Sequence, residues 1–542
     1  MKKEISEILN LVENKNIDKA FVEAKKIFQI DPDNLNIIKV LAFLHLQKNQ
    51  FNSTINLLNG YYDKFSDKKD FDYYVNMGFS YKGIEEYSIS LEMYQKAKDI
   101  NPNSPICYTS LAEIYLKLGE YQKADELIDI AFKIVMSSKI KSPHFPNTIK
   151  IKTDINVALG RDNENGPFLI KLLDDDFNPD VFYLLATTNT KLIDEKLLKK
   201  AEAYLRGNEK GFKNSLERFW YVQPLYFGLA IYYHKKNNSR SEEMYHKGNE
   251  ETMKSLRYNS FEYQKNITSI IDSYTNKFIN LKEVNYLGQK NIFILGTPRS
   301  GTTLIESIIG SHKDVTSGGE LLSASKLIQE FIDNNDNQQI EDFREYFCRV
   351  YLSRTDYIRQ DSKYIIDKLP ENFLFIGQLN KLLPSAKIIR TFRNPWDVAI
   401  SLYKQRYVAN IPFSASFFNI GVFMANYEAI NYFWDQNIKN KQNILDVYYE
   451  DLVKDPQRYQ KEIYQFLELE ESEYNENNRK KFFSQTASIR QIGSEINVKS
   501  IEKKEFLEKK EDFYDALNMQ RKFWQKKGFC PDNTKFFGYS LN

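Results

Sequence analysis

The sequence predicts two folds in one chain: an N-terminal all-α solenoid of helical repeats, then an α/β domain with a parallel sheet. Three observations carry this. Residues 1–138 repeat with a period near 34. After about residue 286, short apolar runs alternate with helical patterns, as expected of parallel strands joined by helices. Within that second half stands a glycine-spaced loop, Gly296-Thr-Pro-Arg-Ser-Gly-Thr-Thr303, directly after the apolar run Ile292-Phe-Ile-Leu295.

At 542 residues the chain is too long for one ordinary domain. Its 42% hydrophobic and 27% charged residues are those of a globular protein with ample core. A net charge of only +2 argues against a nucleic-acid binder driven by bulk charge. Cys107, Cys348 and Cys530 lie far apart and the five histidines are scattered, so neither a disulfide framework nor a metal site is expected. No apolar run reaches the roughly 18–20 residues that span a bilayer. The charged opening residues lack a signal-peptide apolar region, and a cytoplasmic protein is expected.

The repeat is clearest in two units. From Phe71 to Ser104 come Tyr74, Met77, Gly78, Tyr81, Ser90, Tyr94, Ala97 and Pro102. From Pro105 to Ser138 come Tyr108, Leu111, Ala112, Tyr115, Ala124, Ile128 and Ala131. These offsets match the tetratricopeptide pattern, in which small residues let paired helices approach. Asp31-Pro32 marks an earlier, degenerate unit. Residues 139–285 stay helical but lose phase, as diverged repeats would; 201–205 and 261–281 read as amphipathic helices, and Asn163-Glu-Asn-Gly-Pro167 as a loop. Three regions are thus expected: 1–138, 139–285 and 286–542.

In the last region, strands are expected at 291–295, 364–366, 387–392 and 444–449. Helices are expected at 302–311, 371–383, 396 to about 407, and about 457–467. Ligands of such sheets sit at the carboxyl ends of strands. The Gly296–Thr303 loop has the G-x-x-x-x-G spacing of a phosphate-binding loop, whose backbone curls around an anion at a helix N-terminus. Thr302 stands where a nucleotide triphosphatase carries lysine, which disfavours triphosphate hydrolysis and favours a terminal phosphate or phosphosulfate.

A second segment, Arg393-Asn-Pro-Trp-Asp-Val-Ala-Ile-Ser401, follows another strand. Together the two resemble the nucleotide signatures of sulfotransferases that use 3′-phosphoadenosine 5′-phosphosulfate (PAPS). The domain also resembles protein-tyrosine sulfotransferases and the bacterial proteins that fuse tetratricopeptide repeats to such a domain. Asp367-Lys-Leu-Pro-Glu-Asn-Phe373 resembles their lysine-containing loop, Val447-Tyr-Tyr-Glu-Asp-Leu452 their adenine-flanking segment, and Thr486-Ala-Ser-Ile-Arg-Gln491 with Ser500 a late nucleotide-contacting segment.

The resemblance implies that Arg299, Ser300, Gly301, Thr302 and Thr303 hold the 5′-phosphosulfate, that Arg393 and Ser401 hold the 3′-phosphate, and that Tyr448 or Tyr449 lines the adenine. It implies Glu320, in Ser317-Gly-Gly-Glu320, as the general base, Lys368 on the bridging oxygen, and Arg299 and Ser500 as further catalytic groups. The segment after Gln491 departs from the family pattern, reading Ile-Gly-Ser-Glu495, with Lys504 where relatives carry tryptophan. The residue chemistry agrees: a guanidinium forks two N–H bonds onto a phosphosulfate more rigidly than lysine. The expected activity is sulfuryl transfer from PAPS, without a metal, to a hydroxyl on a protein, peptide or glycan. The repeats would recruit the acceptor or a protein partner, or self-associate. The alternative is a non-catalytic repeat scaffold with a nucleotide-binding domain.

Overall fold

The computed structural model describes the chain except residues 1, 14–15, 66–68, 138–143, 208–211, 213–214, 257, 283, 285, 335–338, 408–410, 472–475, 477–478, 480–481, 484–495, 497, 499–500, 502, 534 and 542. It divides into two compact units, 1–155 and 156–542.

The first unit is built from antiparallel helix pairs. Helices Phe71–Gly83 and Tyr87–Ile100 form one pair, Pro105–Lys117 and Tyr121–Ser137 the next. The 34-residue period has a direct packing cause. Ser90 and Ala124, Tyr94 and Ile128, and Ala97 and Ala131 are equivalent positions, and all six are fully buried. A side chain at Gly78 would press on the Tyr94 ring, and the Ser90 hydroxyl donates to the Gly78 carbonyl at 2.6 Å. Caps set the helix starts: Asp70 accepts from the Tyr73 N–H at 2.9 Å, Asn34 from Ile37 at 3.3 Å, and Pro105 opens its helix.

In the second unit, helices from Asp162–Asp175 to Ser260–Ser273 precede a five-stranded parallel sheet. Its strands are β1 (Asn291–Gly296), β2 (Val315–Ser317), β3 (Tyr364–Asp367), β4 (Lys387–Phe392) and β5 (Ile444–Tyr448), in the order β2-β3-β1-β4-β5. Phe293 pairs with Ile388 and Ile292 with Ile366. Central β1 is buried along its whole length, which explains its unbroken apolar run. Ile292, Ile294, Ile366, Ile389 and Val447 form a core with Ile305, Ile308 and Ile309 of the helix Thr302–Gly310.

Several expectations need correction. Residues 163–167 are not a loop but lie inside the helix Asp162–Asp175. Buried Asn165 accepts from Asn156 at 2.8 Å, and Gly166 lets Leu192 pack against the backbone, so tertiary contacts outweigh the Gly-Pro signal. The helix expected to about 407 ends at Tyr403, whose carbonyl accepts from Asn249 at 2.9 Å. The stretch 371–383 begins as a 3-10 turn, Pro370–Phe375, before the helix Ile376–Leu382. Short edge strand β2 was not anticipated.

Helix Phe417–Asn437 is buried on nearly all sides and packs on Lys510–Lys526. Arg521 forks onto Glu428 at 2.6 and 3.2 Å, and Asn426 accepts from Gln520 and Trp524 at 2.9 and 2.7 Å. Gly421 lies against the Phe513 carbonyl, a backbone group that cannot swing aside. Gly421→Ala is therefore expected to destabilise the unit by about 1–3 kcal/mol through overpacking. The check is its melting temperature, and one equal to wild type would contradict this packing.

Candidate functional site

The site is assembled at the carboxyl ends of β1, β3 and β4. Where β1 ends, Gly296 turns with φ 154°, and a Cβ there would collide with Thr391 of β4. The Ser300 hydroxyl donates to the Thr297 carbonyl at 2.6 Å and meets the Thr391 hydroxyl, so it ties the loop to the sheet. Gly301, at φ 107°, precedes the helix Thr302–Gly310, and a side chain on it would strike the Tyr449 ring. Thr302 and Thr303 occupy the first turn, where N–H groups lack intrahelical acceptors and the helix dipole favours an anion.

Arg299 adopts the left-handed region at φ 74°, a conformation that non-glycine residues keep only when their surroundings hold them. Its Nε donates to the Ser401 hydroxyl at 2.9 Å, and Arg393 donates to its carbonyl oxygen at 2.9 Å. Arg299, Arg393 and Ser401, far apart in sequence, therefore meet at one place. Asn394 makes the second half possible. Its side chain caps the helix Pro395–Tyr403 through the amides of Trp396 and Asp397, and its own N–H is held by Glu450 at 2.9 Å.

The guanidinium of Arg393 stacks over Tyr449 at 4.2 Å. Tyr448 instead packs beside Phe392 and Tyr539. The strand ends at Tyr448 and Tyr449 opens a helix, so the two rings diverge, and only Tyr449 lies against the loop.

Lys503 joins the two arginines and was not picked out from the sequence. Its amide donates to Asp397 at 2.9 Å. Burial, with the cations of Arg393, Arg299 and Lys404 nearby, pushes its ammonium well below the ordinary lysine range. Burial likewise lowers Arg299. An anion placed among them would relieve this repulsion. Ser500 and the segment 486–491 lie outside the described residues.

At the end of β3, Lys368 is fully buried, which excludes a solvated strand-end lysine. Its Nζ donates to Glu320 at 2.6 Å and stands 3.7 Å from Glu306, itself fully buried. Glu306 also accepts from Ser317 at 2.6 Å. A glutamate in the mostly apolar run of 304–309 was the one sequence signal for it. Glu320 is 42% exposed, so the Lys368–Glu320 pair has one dry and one open end. Glu371, three residues beyond Lys368, is raised to about 7 by burial and by Glu320. Tyr407 stands in the field of Arg299, Glu320, Tyr183 and Glu371, and burial raises it to about 12.

A glycine-bounded loop at a helix N-terminus, Arg299, Arg393 and Lys503 gathered near Ser401, and a buried lysine beside an open carboxylate now stand together. Residues 291–473 match the model of the sulfotransferase family, and residues 93–126 that of the tetratricopeptide repeat. The chain carries a sulfotransferase-family domain behind tetratricopeptide repeats.

An Aquifex aeolicus (strain VF5) protein of unassigned function is 30% identical to this sulfotransferase-domain chain over 287 residues, which is 50% of this chain and 38% of that protein. A Caenorhabditis briggsae protein named as a candidate protein-tyrosine sulfotransferase is 24% identical over 199 residues, 34% of this chain and 66% of its own length. The chain thus spans less than two thirds of the length of these curated relatives. Among solved structures, the sulfotransferase domain of the Synechococcus PCC 7002 olefin synthase is similar at 16% identity, covering 44% of this chain and 98% of that domain with a TM-score of 0.29. Among the described residues no group of three His, Cys, Asp or Glu side chains could hold a metal, and no helix is long and apolar enough to cross a membrane.

Glu371 yields a pH prediction. An ordinary glutamate ionises near 4.5, whereas this one holds its proton to about 7 in the folded protein. As pH rises from about 4.5 to about 7 the unfolded chain releases the proton first, so folding stability is drawn down in that window and then levels off. Glu371→Gln removes this dependence. Its melting temperature relative to wild type is expected to climb between pH 5 and 7, and parallel profiles would contradict the assignment.

Proposed function

We propose that the domain transfers a sulfuryl group from PAPS to a hydroxyl acceptor, with the tetratricopeptide repeats recruiting the acceptor or a partner protein. The observation that carries this reading is the convergence of Arg299, Arg393, Ser401 and Lys503. Two anion positions beside one phosphate-type loop suit a nucleotide with a 3′-phosphate and a 5′-phosphosulfate better than a triphosphate.

In this reading the loop amides, Thr302 and Thr303 hold the 5′-phosphosulfate, with Ser300 setting the loop's shape. Arg393, Ser401 and Lys503 hold the 3′-phosphate, and Tyr449 offers a ring face toward the nucleotide. The acceptor hydroxyl gives its proton to Glu320, the exposed carboxylate of the pair. Its oxygen bonds to sulfur as the bond from sulfur to the bridging phosphate oxygen breaks. That oxygen keeps the electron pair and leaves as adenosine 3′,5′-bisphosphate. Lys368 has three N–H groups, and one donated to the bridging oxygen stabilises the charge that builds there. Glu306, 3.7 Å from the ammonium, helps hold it in place. Arg299 spreads charge from the sulfuryl oxygens, as in phosphoryl transfer.

Adenosine 3′,5′-bisphosphate is expected to raise the melting temperature of the full chain, since it binds the native state. Stabilisation by ATP–Mg²⁺ alone would sink this reading. Arg393→Ala and Lys503→Ala should each weaken bisphosphate binding by about tenfold or more, as lost charge-assisted bonds do. Glu320→Gln should keep bisphosphate binding and lower transfer from labelled PAPS by at least about 100-fold. Undiminished transfer would remove Glu320 as the base.

A further inference from the structure

Two short antiparallel strands, β6 (Lys535–Phe536) and β7 (Tyr539–Ser540), form a hairpin in which Phe536 pairs with Tyr539. Both turn residues lie in the left-handed region, Phe537 at φ 46° and Gly538 at φ 90°, as the common two-residue hairpin turn requires. Glycine takes that conformation freely, whereas phenylalanine needs outside contacts to keep it. The Phe537 ring finds them on Phe392 at 4.6 Å and Tyr427 at 5.4 Å. Arg521, paired with Glu428, also donates to the Asn533 and Lys535 carbonyls at 3.1 and 3.0 Å. The hairpin is thus fixed beside the end of β4 by contacts that do not use the Tyr539 hydroxyl.

That hydroxyl has a separate task. It donates to Glu450 Oε2, while the other oxygen of the same carboxylate accepts the Asn394 N–H at 2.9 Å. Burial and the Glu450 carboxylate raise the Tyr539 phenol well above its ordinary range, so it remains the donor. The Asn394 N–H belongs to the planar peptide group that also holds the Arg393 carbonyl. From this one peptide both halves of the second anion position are hung. Asn394 Oδ1 accepts from the Trp396 and Asp397 amides at 3.0 and 3.2 Å and so opens the helix that carries Ser401. On its other side Arg393 reaches the Arg299 carbonyl at 2.9 Å and stacks over Tyr449, the neighbour of Glu450. A rotation of the peptide would move the guanidinium and the helix start together.

Resting on the sulfuryl-transfer reading, we infer that Glu450 and Tyr539 are positioning residues for the 3′-phosphate: the carboxylate, aimed by the hairpin hydroxyl, fixes the Arg393–Asn394 peptide and with it the placement of Arg393 and Ser401. The loop assigned to the 5′-phosphosulfate has its own ties, from Ser300 to Thr297 and Thr391. The effect of the pair is therefore concentrated at one end of the nucleotide.

Adenosine 3′,5′-bisphosphate and adenosine 5′-phosphate, which differ only by the 3′-phosphate, are each titrated into the full chain. The wild type is expected to prefer the bisphosphate by at least about tenfold. Glu450→Ala should weaken bisphosphate binding about tenfold or more and Tyr539→Phe about fourfold or more, each leaving adenosine 5′-phosphate within about twofold. Glu450→Gln, whose amide can accept from Asn394 and donate to the Tyr539 oxygen, should stay within about threefold of wild type. Adding Tyr539→Phe to Glu450→Ala should change nothing further, because the hydroxyl acts through the carboxylate. Tyr539→Phe keeps the ring and the Arg521 anchors, so it decides the question even where Glu450→Ala does not fold. Equal losses for the two nucleotides, no loss for the bisphosphate, Glu450→Gln as weak as Glu450→Ala, or multiplied losses in the double variant would each overturn the inference. Failure of the bisphosphate to bind the wild-type chain would instead bring down the sulfuryl-transfer reading beneath it.

Discussion

A lysine with no access to water sits at the centre of this domain, and much of the site is arranged around its charge. A buried ammonium is tolerable only beside anionic partners, and removing one partner of such a pair typically costs about 3–5 kcal/mol. Lys368 finds Glu306 on the loop helix and Glu320 beyond β2. Its backbone reinforces the arrangement: the Lys368 N–H donates to the Gly319 carbonyl, and the Gly318 N–H to Ile366, both at 2.8 Å. Asp367 next door is fixed by Tyr351 at 2.8 Å. One buried charge thus ties the phosphate-type loop, the Glu320 segment and the end of β3 into a single geometry.

Much of this was legible in the residues. Apolar runs marked four of the five sheet strands, and the glycine spacing at 296 and 301 marked a curled loop, whose backbone passes close to Thr391 and Tyr449. These signals are local: a strand or a turn depends on a few adjacent side chains. Lys503 and Glu371 carried no such mark, because their environments are made by residues about a hundred or about fifty positions away. The same holds for Pro167. A proline after glycine reads as a break until the buried Asn156–Asn165 bond and the close approach of Leu192 are known.

The rings at 448 and 449 show a subtler failure of local reasoning. Alternation along a strand puts neighbours on opposite faces. Here the second residue has already left the strand, and its direction is set by the first turn of a helix. Tyr449 therefore reaches the loop through a change of element. Tyr448 is absorbed into an aromatic group with Phe392 and Tyr539.

Helices that precede the sheet brace the end of the helix that carries Ser401. Asn249 caps the Tyr403 carbonyl, Gln223 donates to the Tyr407 carbonyl at 3.3 Å, and His246 meets the Tyr403 hydroxyl at 2.7 Å. Phe506, close in sequence to Lys503, packs between His246 and Tyr403. In evolutionary terms this removes the freedom usually granted to fused domains. Recombination at the junction near residue 286 would part Ser401 from the helices that fix the end of its own helix. Residues 156–281 and the sheet must then be inherited and varied as one block.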